Sequence, residues 1–193
     1  MFRSILFTTF TLISLCAQEI PKDYLKPQFH ADRRSDVRSK MPSNSVAVFF
    51  SNPIRNRSND VNFHYHQDPN FYYLTGLKEP HALLLIFKEE QNINNQIHNE
   101  ALFIQQRDSL REKWDGYRLG VKGAIEKLGF KNVYSNDHFI SFESNFQDFD
   151  KVLFFDFNND VRNNTSNSVD LFSLIDNFKI KSNYPKDFSS DRT

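Results

Sequence analysis

The sequence is poor in cysteine and glycine and carries no excess charge of either sign. One cysteine and five glycines occur in 193 residues. The single thiol excludes a disulfide framework and a cysteine-held zinc site. No glycine-rich phosphate loop and no Gly-x-Ser-x-Gly nucleophile motif is present. Lys+Arg and Asp+Glu both number 24, so the basic footprint of a nucleic-acid-binding protein is missing and we expect no nucleic-acid partner.

Phenylalanine, in contrast, is abundant, with 21 copies. Hydrophobic residues make up 39% of the chain and charged residues 25%, which is typical of a soluble globular protein. The length suits one ordinary domain. We interpret most of the phenylalanines as core residues, since many occur in short apolar runs.

The N-terminal segment has the pattern of a secretory signal peptide. Arg3 supplies the positive charge, and Ile5–Leu15 is an apolar run too short to span a bilayer. We expect a signal peptide over residues 1–17, with export to the periplasm or the exterior and no stable membrane span. Lipidation of Cys16 is the less favoured alternative, because Leu15 fits a lipoprotein signal badly. Residues 18–28 are predicted to form an extended lead-in.

Short apolar runs alternate with amphipathic segments along the rest of the chain. Buried strands are predicted at Ser45–Phe50, Ala82–Phe87, Ala101–Gln105, Lys131–Tyr134 and Val152–Phe157. Helices are predicted at Phe29–Met41, Ser109–Trp114, Val121–Leu128, Asp137–Asp150 and Val169–Phe178. Glu89–Asn99 is interpreted as an amide-rich connector between two hairpin strands, and residues 182–193 as a linker-like tail. This alternation predicts an α/β fold with a mixed β-sheet flanked by helices.

One stretch, residues 57–81, concentrates aromatic rings between turn residues. Asp68-Pro69-Asn70 is predicted to form a turn, and Gly76 to end the segment that follows. Three consecutive rings on a turn cannot all face one way, so we expect at least one of them to point outward. Phe71, Tyr72 and Tyr73 are therefore candidates for a substrate-pocket wall or an oligomer contact. The alternative is that all three fill the core.

Two further features have both a functional and a structural interpretation. His64 and His66 have the spacing of metal ligands on a strand, but no third ligand stands at a fixed interval. We therefore favour hydrogen bonding around the aromatic segment and predict no metal site in this chain. Trp114, beside Asp115-Gly116, suits either a recognition turn or a packing anchor, and we favour the anchor.

Two motifs together resemble the N-terminal domain of the aminopeptidase P family, the Xaa-Pro aminopeptidases of the creatinase and prolidase superfamily. The first runs over Met41-Pro42, Arg57, Asp60-Val61, Gln67-Asp68, Phe71–Gly76 and Glu79-Pro80. The second is Arg107-Asp108 with Trp114-x-Gly116-x-Arg118-x-Gly120. The resemblance assigns residues 29–181 to this domain. It also marks a set of structural motif residues: Arg57, Asp60, Thr75, Gly76, Trp114, Gly116, Arg118 and Gly120.

The resemblance implies a function that needs more polypeptide than this chain has. Enzymes of the family remove the N-terminal residue from peptides whose second residue is proline, using two metal ions, usually manganese. Their ligands are two Asp, one His and two Glu of a C-terminal pita-bread domain, for which this chain has no matching positions. We therefore expect no cofactor and no catalytic residue in this chain, and no activity from it alone. The family further implies a homo-oligomer in which this domain packs against neighbouring subunits and walls the peptide site.

Three interpretations follow from the resemblance. The chain is the N-terminal portion of an exported Xaa-Pro aminopeptidase, truncated or a fragment of a longer reading frame. Alternatively, it is a free-standing, non-catalytic module for binding or oligomerisation. Finally, it is the N-terminal part of a prolidase or creatinase relative, although the Phe71–Gly76 motif favours aminopeptidase P.

Overall fold

A mixed five-stranded sheet forms the centre of the molecule, whose computed structural model describes residues 25–162 and 169–184. The strands are β1 (Ser45–Phe50), β2 (Asn56–Ser58), β3 (Val61–Asn62), β4 (Leu83–Ile93), β5 (Gln96–Ile104), β6 (Val133–Ser135) and β7 (Lys151–Phe154). The helices are α1 (Pro27–Lys40), α2 (Pro69–Thr75), α3 (Glu112–Asp115), α4 (Gly120–Leu128) and α5 (Leu171–Lys181). The strand order is β6-β5-β4-β1-β7, and β2 pairs with β3 in a separate ribbon. Strand β4 pairs antiparallel with both β1 and β5, whereas β7 pairs parallel with β1 and β6 pairs parallel with β5. This confirms the predicted mixed sheet.

Both faces of the sheet are covered, which explains why its strands are apolar without alternation. Leu84 and Ile86 of β4 point to one face and pack with residues of α2 and α4. Leu83 and Leu85 point to the other face and pack with α5 and a cluster of phenylalanines. Successive residues of a strand point in opposite directions, so one apolar run supplies both cores.

The hairpin between β4 and β5 is longer than predicted. The segment interpreted as an amide-rich connector, Glu89–Asn99, instead continues both strands around a two-residue turn. Asn94 and Asn95 form this turn with φ angles of 53° and 61°. Both central residues of a type I′ turn require positive φ, which asparagine tolerates better than most residues.

The helix predicted over Asp137–Asp150 was wrong. Two short 3₁₀ turns occupy the segment, at Asn136–Phe139 and Phe146–Asp148. Short polar side chains divide it: Ser141 Oγ donates to the carbonyl of His138, and Asn145 Oδ1 accepts from the amide of Gln147. Such local bonds compete with a continuous helix. The phenylalanines of the segment are nevertheless buried, as their apolar recurrence predicted.

The boundaries of the domain differ from those predicted at both ends. Pro27 is the first residue of α1, so residues 27 and 28 are helical and not part of an extended lead-in. Tyr184 packs edge-on against Phe154 and Phe157, with ring centroids 5.7 and 5.6 Å apart, so the start of the predicted tail contacts the domain. The predicted signal peptide and residues 185–193 lie outside the described residues. Within the described part of the chain, no helix has the length and hydropathy needed to cross a bilayer.

Candidate functional site

The aromatic segment predicted as a turn is a short helix, α2. Asp68 Oδ1 accepts from the amide of Phe71 at 2.8 Å, Pro69 is the first helical residue, and Gly76 ends the helix with φ of 71°. These are the standard signals of a helix start and stop, so Asp68-Pro69 begins a helix and not an isolated turn.

The three consecutive rings of α2 face different environments. Phe71 is fully buried, whereas Tyr73 is 46% exposed and packs edge-on against Phe29 at 5.5 Å. Tyr72 is half-buried, with the ammonium of Lys78 5.7 Å from its ring centroid. The segment therefore presents one ring to solvent. Its role as a pocket wall or an oligomer contact stays a prediction.

Behind α2 lies a network of hydrogen bonds centred on Arg34, which the sequence analysis missed. The Arg34 guanidinium, with its side chain 2% exposed, donates two bonds to the carboxylate of Glu100 at 2.9 and 3.0 Å. A third bond, of 2.8 Å, reaches the carbonyl of Leu74. The guanidinium also lies 3.8 Å from the ring centroid of Phe130. The network ties α1 to α2 and to β5, and its burial points to a structural role.

His30 and Gly76 complete this region. His30 is 3% exposed, and its Nδ1 lies 2.8 Å from the carbonyl of Tyr73. A Cβ placed on Gly76 would stand 2.8 Å from Nε2 of the same imidazole. Thr75 Oγ1 donates to the carbonyl of Phe71 and accepts from the amide of Leu77. The Thr75-Gly76 motif thus closes α2 beneath a buried histidine.

Arg57 and Asp60, the other early motif residues, lie on the β2–β3 ribbon. Both are exposed, and neither side chain forms a hydrogen bond or an ion pair with any described residue. The ribbon is attached through its neighbour Arg55, whose Nε lies 2.6 Å from Oδ2 of Asp160. The structure therefore does not give Arg57 and Asp60 a structural role within the described residues.

His64 and His66 follow the ribbon, with ring centroids 5.5 Å apart in an edge-to-face arrangement. Across residues 25–162 and 169–184, no three or more His, Cys, Asp or Glu side chains are grouped so that they could hold a metal ion. The donor set of a two-metal centre, mainly carboxylates with one imidazole, is thus not assembled by these residues. The described residues do not fit the metals that the family uses.

The second motif forms an exposed loop, which we call the tryptophan loop (residues 107–120). Arg107 holds it at one end, donating to Glu112 with Nη2–Oε2 of 2.8 Å and lying 4.2 Å from the ring centroid of Tyr117. Asp108 Oδ1 accepts from the amides of Leu110 and Arg111 at 3.0 and 3.1 Å. Glu112 Oε1 in turn accepts from the Asp108 amide at 3.3 Å, so these two side chains order the turn that precedes α3.

Two glycines shape this loop, Gly116 within it and Gly120 at its end. Gly116 has φ of 89° and open space around the position of a Cβ. Gly120 has φ of 63°, and a Cβ there would stand 2.7 Å from Cγ of Arg107. Arg118 pairs with Asp115 at 3.4 Å, and its side chain is 14% exposed. The close approach of Arg107 favours glycine at position 120, whereas at position 116 only the backbone conformation favours it.

Trp114 does not anchor the loop. Its side chain is 89% exposed, and exposed Leu110 and Tyr117 belong to the same loop. The packing-anchor interpretation was therefore wrong for the described part of the chain: α3 is only four residues long and places the indole in solvent. A loop ordered by ion pairs and caps that exposes several large apolar side chains is typical of a binding surface.

Two partly buried ionisable residues, Glu79 and His81, lie near this loop: Glu79 bonds to the loop, and His81 bonds to the start of α5. Glu79 Oε1 accepts from the Leu119 amide at 2.7 Å, and its buried Oε2 has no partner among the described residues. Burial raises the pKa of the Glu79 carboxyl, an effect that the Leu119 amide and Arg118 oppose. His81 Nδ1 accepts from the Leu171 amide at 3.0 Å. Burial lowers the pKa of its imidazole to about 4, although Asp170 opposes the shift.

Comparisons with known proteins agree with this geometry. A family profile described as "Aminopeptidase P, N-terminal domain" matches residues 30–152. An Xaa-Pro aminopeptidase of Haemophilus influenzae is 39% identical over 108 residues, which cover 56% of this chain and 24% of that protein. The human Xaa-Pro aminopeptidase 3 is 34% identical over 108 residues, covering 55% and 21%. The chain thus spans about a quarter of the length of these curated relatives.

Solved structures give the same result. Aminopeptidase P of Escherichia coli with the inhibitor Pro-Leu superposes with a TM-score of 0.58 and 30% identity, covering 67% of this chain and 29% of that one. Pseudomonas aeruginosa aminopeptidase PepP superposes with a TM-score of 0.59 and 29% identity, covering 67% and 28%. These neighbours contain a further, C-terminal domain.

Proposed function

Because this chain belongs to the aminopeptidase P N-terminal domain family, we propose that it supplies the non-catalytic domain of an exported Xaa-Pro aminopeptidase. The observation that carries the proposal is the family match over residues 30–152, which contains both motifs and most of the sheet. The relatives named as Xaa-Pro aminopeptidases support a peptide substrate with proline in the second position.

The domain's role in such an enzyme is to hold the tryptophan loop against the polypeptide that completes the peptide site. Trp114 and Tyr117 are 89% and 62% exposed, yet the loop beneath them is fixed by Arg107, Glu112 and Asp108. An ordered loop loses little entropy when it binds, so its aromatic side chains are well suited to an interface. We propose that its partner is the C-terminal catalytic domain, in the same subunit or a neighbouring one.

The metal chemistry belongs to that C-terminal domain in this proposal. When bound there, two metal ions, manganese in much of the family, would activate water for attack on the peptide carbonyl. Among the described residues, no three His, Cys, Asp or Glu side chains are grouped so that they could hold a metal ion. This agrees with a non-catalytic role for the domain. The purified 193-residue chain is therefore expected to hydrolyse no Xaa-Pro peptide with added manganese. Measurable turnover would contradict the proposal.

A binding experiment tests the interface directly, because Trp114 is the single tryptophan of the sequence. The separately expressed catalytic domain of the Haemophilus influenzae relative, with its own tryptophans replaced by phenylalanine, is titrated into this chain. We expect a blue shift of the Trp114 emission as the indole leaves water. Tyr117→Asp should weaken binding by at least an order of magnitude, because a charge would be buried at the contact.

Ile97→Asp is the matched control for this titration. Ile97 is 58% exposed on β5, close to the 62% of Tyr117, and lies outside the tryptophan loop. Ile97→Asp should leave binding of the catalytic domain unchanged. Equal losses for both variants, or no blue shift at saturating concentration, would contradict the proposed interface. A blue shift that grows with the concentration of this chain alone would instead favour the free-standing oligomerisation module.

Export is a separate part of the proposal and rests on residues 1–17 of the sequence. Expression of the full sequence in its source cells, followed by fractionation and N-terminal sequencing, tests it. We expect a mature protein beginning at Gln18 outside the cytoplasm. An N-terminus at a lipidated Cys16 would favour the lipoprotein alternative, and an intact Met1 would contradict export.

A further inference from the structure

The tryptophan loop contains the only Asp-Gly dipeptide of the sequence, Asp115-Gly116. It lies where α3, a helix of four residues, ends. An aspartyl side chain can be attacked at Cγ by the backbone nitrogen of the next residue, which closes a five-membered succinimide ring. Glycine in the second position hinders this closure least, because it has no Cβ. Folding usually suppresses the reaction by holding the backbone amide in a hydrogen bond or by packing around it.

Neither restraint is present at this position. The Gly116 amide donates to no acceptor among the described residues, although other helix-ending amides, such as that of Gly76, do. Apart from Gly116 and its two chain neighbours, no described residue has a heavy atom within 4 Å of the place where a Cβ of Gly116 would stand. The Asp115 side chain is 58% exposed, and its one described partner, Nη2 of Arg118, lies 3.4 Å away. Carboxyl group and amide are thus both available for ring closure.

We propose that Asp115-Gly116 is a site of spontaneous aspartyl isomerisation in the folded protein. The Gly116 nitrogen forms a bond to Cγ of Asp115 in its protonated form, and the bond from Cγ to the carboxyl hydroxyl breaks; this hydroxyl and the amide proton leave together as water. Water then opens the succinimide. Cleavage of the bond from nitrogen to Cγ restores aspartate, whereas cleavage at the α-carbonyl leaves an isoaspartyl residue. The product has the same composition as the starting chain, with the former side-chain methylene inserted into the main chain.

This product would change the binding surface itself. The added main-chain methylene lies between Trp114 and Tyr117, the two most exposed rings of the loop. The carboxylate that pairs with Arg118 would also move onto a different branch of the residue. The inference concerns the chemistry of these residues alone, so it holds whether or not the loop binds a catalytic domain.

The folded 193-residue chain is incubated at neutral pH and 37 °C, and samples are digested with trypsin over several weeks. Cleavage after Lys113 and Arg118 releases the peptide Trp114–Arg118, whose isoaspartyl form has the same mass but a different retention time. We expect this form to accumulate at a rate within severalfold of that in urea-unfolded protein. An isoaspartyl methyltransferase should label the same peptide.

Asp108-Ser109 of the same loop is the internal control, because Asp108 Oδ1 is held by two backbone amides. Its peptide should stay unmodified in the folded chain. Asp115→Glu should abolish the new peak, since glutamate would have to close a larger, slower ring. The proposal is overturned if isomerisation in the folded chain is more than an order of magnitude slower than in urea. Equal rates at Asp108 and Asp115 would overturn it as well.

Discussion

The region around Arg34 and the tryptophan loop both carry motif residues of the family, but they use them in opposite ways. Arg34 is buried and donates to Glu100, whereas Arg107 donates to Glu112 with its own side chain 51% exposed. Each region also contains a glycine with a positive φ. Gly76 lies against a buried imidazole, whereas Gly116 faces open space. The first region is a framework and the second an ordered surface.

The difference shows that the same residue types signal different roles according to what surrounds them. A buried guanidinium with several acceptors fixes neighbouring elements, because losing one partner leaves the other without compensation. An exposed ion pair contributes little to stability and mainly orders the side chains involved. Substitutions in the framework should therefore destabilise the domain, whereas substitutions in the tryptophan loop should leave it folded.

Arg34→Met should cause a large loss of stability. Methionine keeps much of the side-chain volume but removes every bond to Glu100 and to the carbonyl of Leu74. We expect the free energy of unfolding to fall by about 3 kcal/mol, since the buried carboxylate of Glu100 loses both bonds from Arg34 and keeps only that from Arg38, at 2.9 Å. Urea unfolding followed by far-ultraviolet circular dichroism measures the change.

Arg33→Met is the matched control on the same helix. Arg33 has a side chain 35% exposed and one ion pair, with Asp36 at 3.3 Å. Its replacement should change the free energy of unfolding by less than ~0.5 kcal/mol. Similar losses for Arg33→Met and Arg34→Met would mean that the buried network does not stabilise the domain.

Gly76→Ala and Gly116→Ala compare the two regions at one substitution. The αL conformation of Gly76 alone costs an alanine about 1–2 kcal/mol. The φ of 89° and ψ of 168° at Gly116 cost it about 1–3 kcal/mol. At Gly76 the new Cβ would also meet His30 at 2.8 Å, so we expect a total loss of about 2–3 kcal/mol there. Thermal unfolding of both variants measures the difference. A loss at Gly76 no larger than its φ alone explains would contradict the close packing of His30 over this glycine.

The pH dependence of stability tests His81, whose imidazole accepts a hydrogen bond from the first residue of α5. Its pKa is 6.5 in an unfolded chain and about 4 in the folded one, so between these values the unfolded chain binds more protons. The contribution of His81 to stability is therefore fully present above pH 6.5 and is lost as the pH falls toward 4. The shift corresponds to about 2 kcal/mol, after allowance for the partial exposure of the ring.

His81→Asn isolates this contribution from the titrating carboxylates. Asparagine tolerates the φ of 58° found at this position, and its side-chain oxygen can accept from the Leu171 amide. Urea unfolding at several pH values should show a shallower decline for the variant between pH 6.5 and 4. Parallel curves for the two proteins would show that His81 does not titrate with folding.

Much of the framework was predictable from sequence, because apolar runs buried on both faces are a strong strand signal. The mixed sheet, α5 and the motif segments were found in this way. The α2 helix was missed although Asp68, Pro69 and Gly76 mark its ends, since a seven-residue helix shows too few turns for periodicity. Arg34 was missed because its partner, Glu100, lies 66 positions away. Long-range pairs of this kind leave no local pattern.

The motif located the tryptophan loop, but it did not predict whether Trp114 would be buried or exposed. A tryptophan beside a glycine is compatible with packing against the backbone and with exposure on a short helix. The choice depends on whether other elements reach the ring, and here none of the described ones covers it. The burial of Arg34 and the exposure of Trp114 are thus both properties of the assembled sheet, which the local sequence does not contain.

Trp114→Ala should have the smallest effect on stability. An indole that is 89% exposed loses almost no buried contact when truncated, so the free energy of unfolding should change by less than ~0.5 kcal/mol. Urea unfolding followed by circular dichroism is the measurement, because the variant has no tryptophan fluorescence. Phe71→Ala, at a fully buried ring of the framework, serves as the opposite extreme and should cost about 3–5 kcal/mol. A loss of more than ~1 kcal/mol for Trp114→Ala would mean that the loop stabilises the fold as well as presenting a surface.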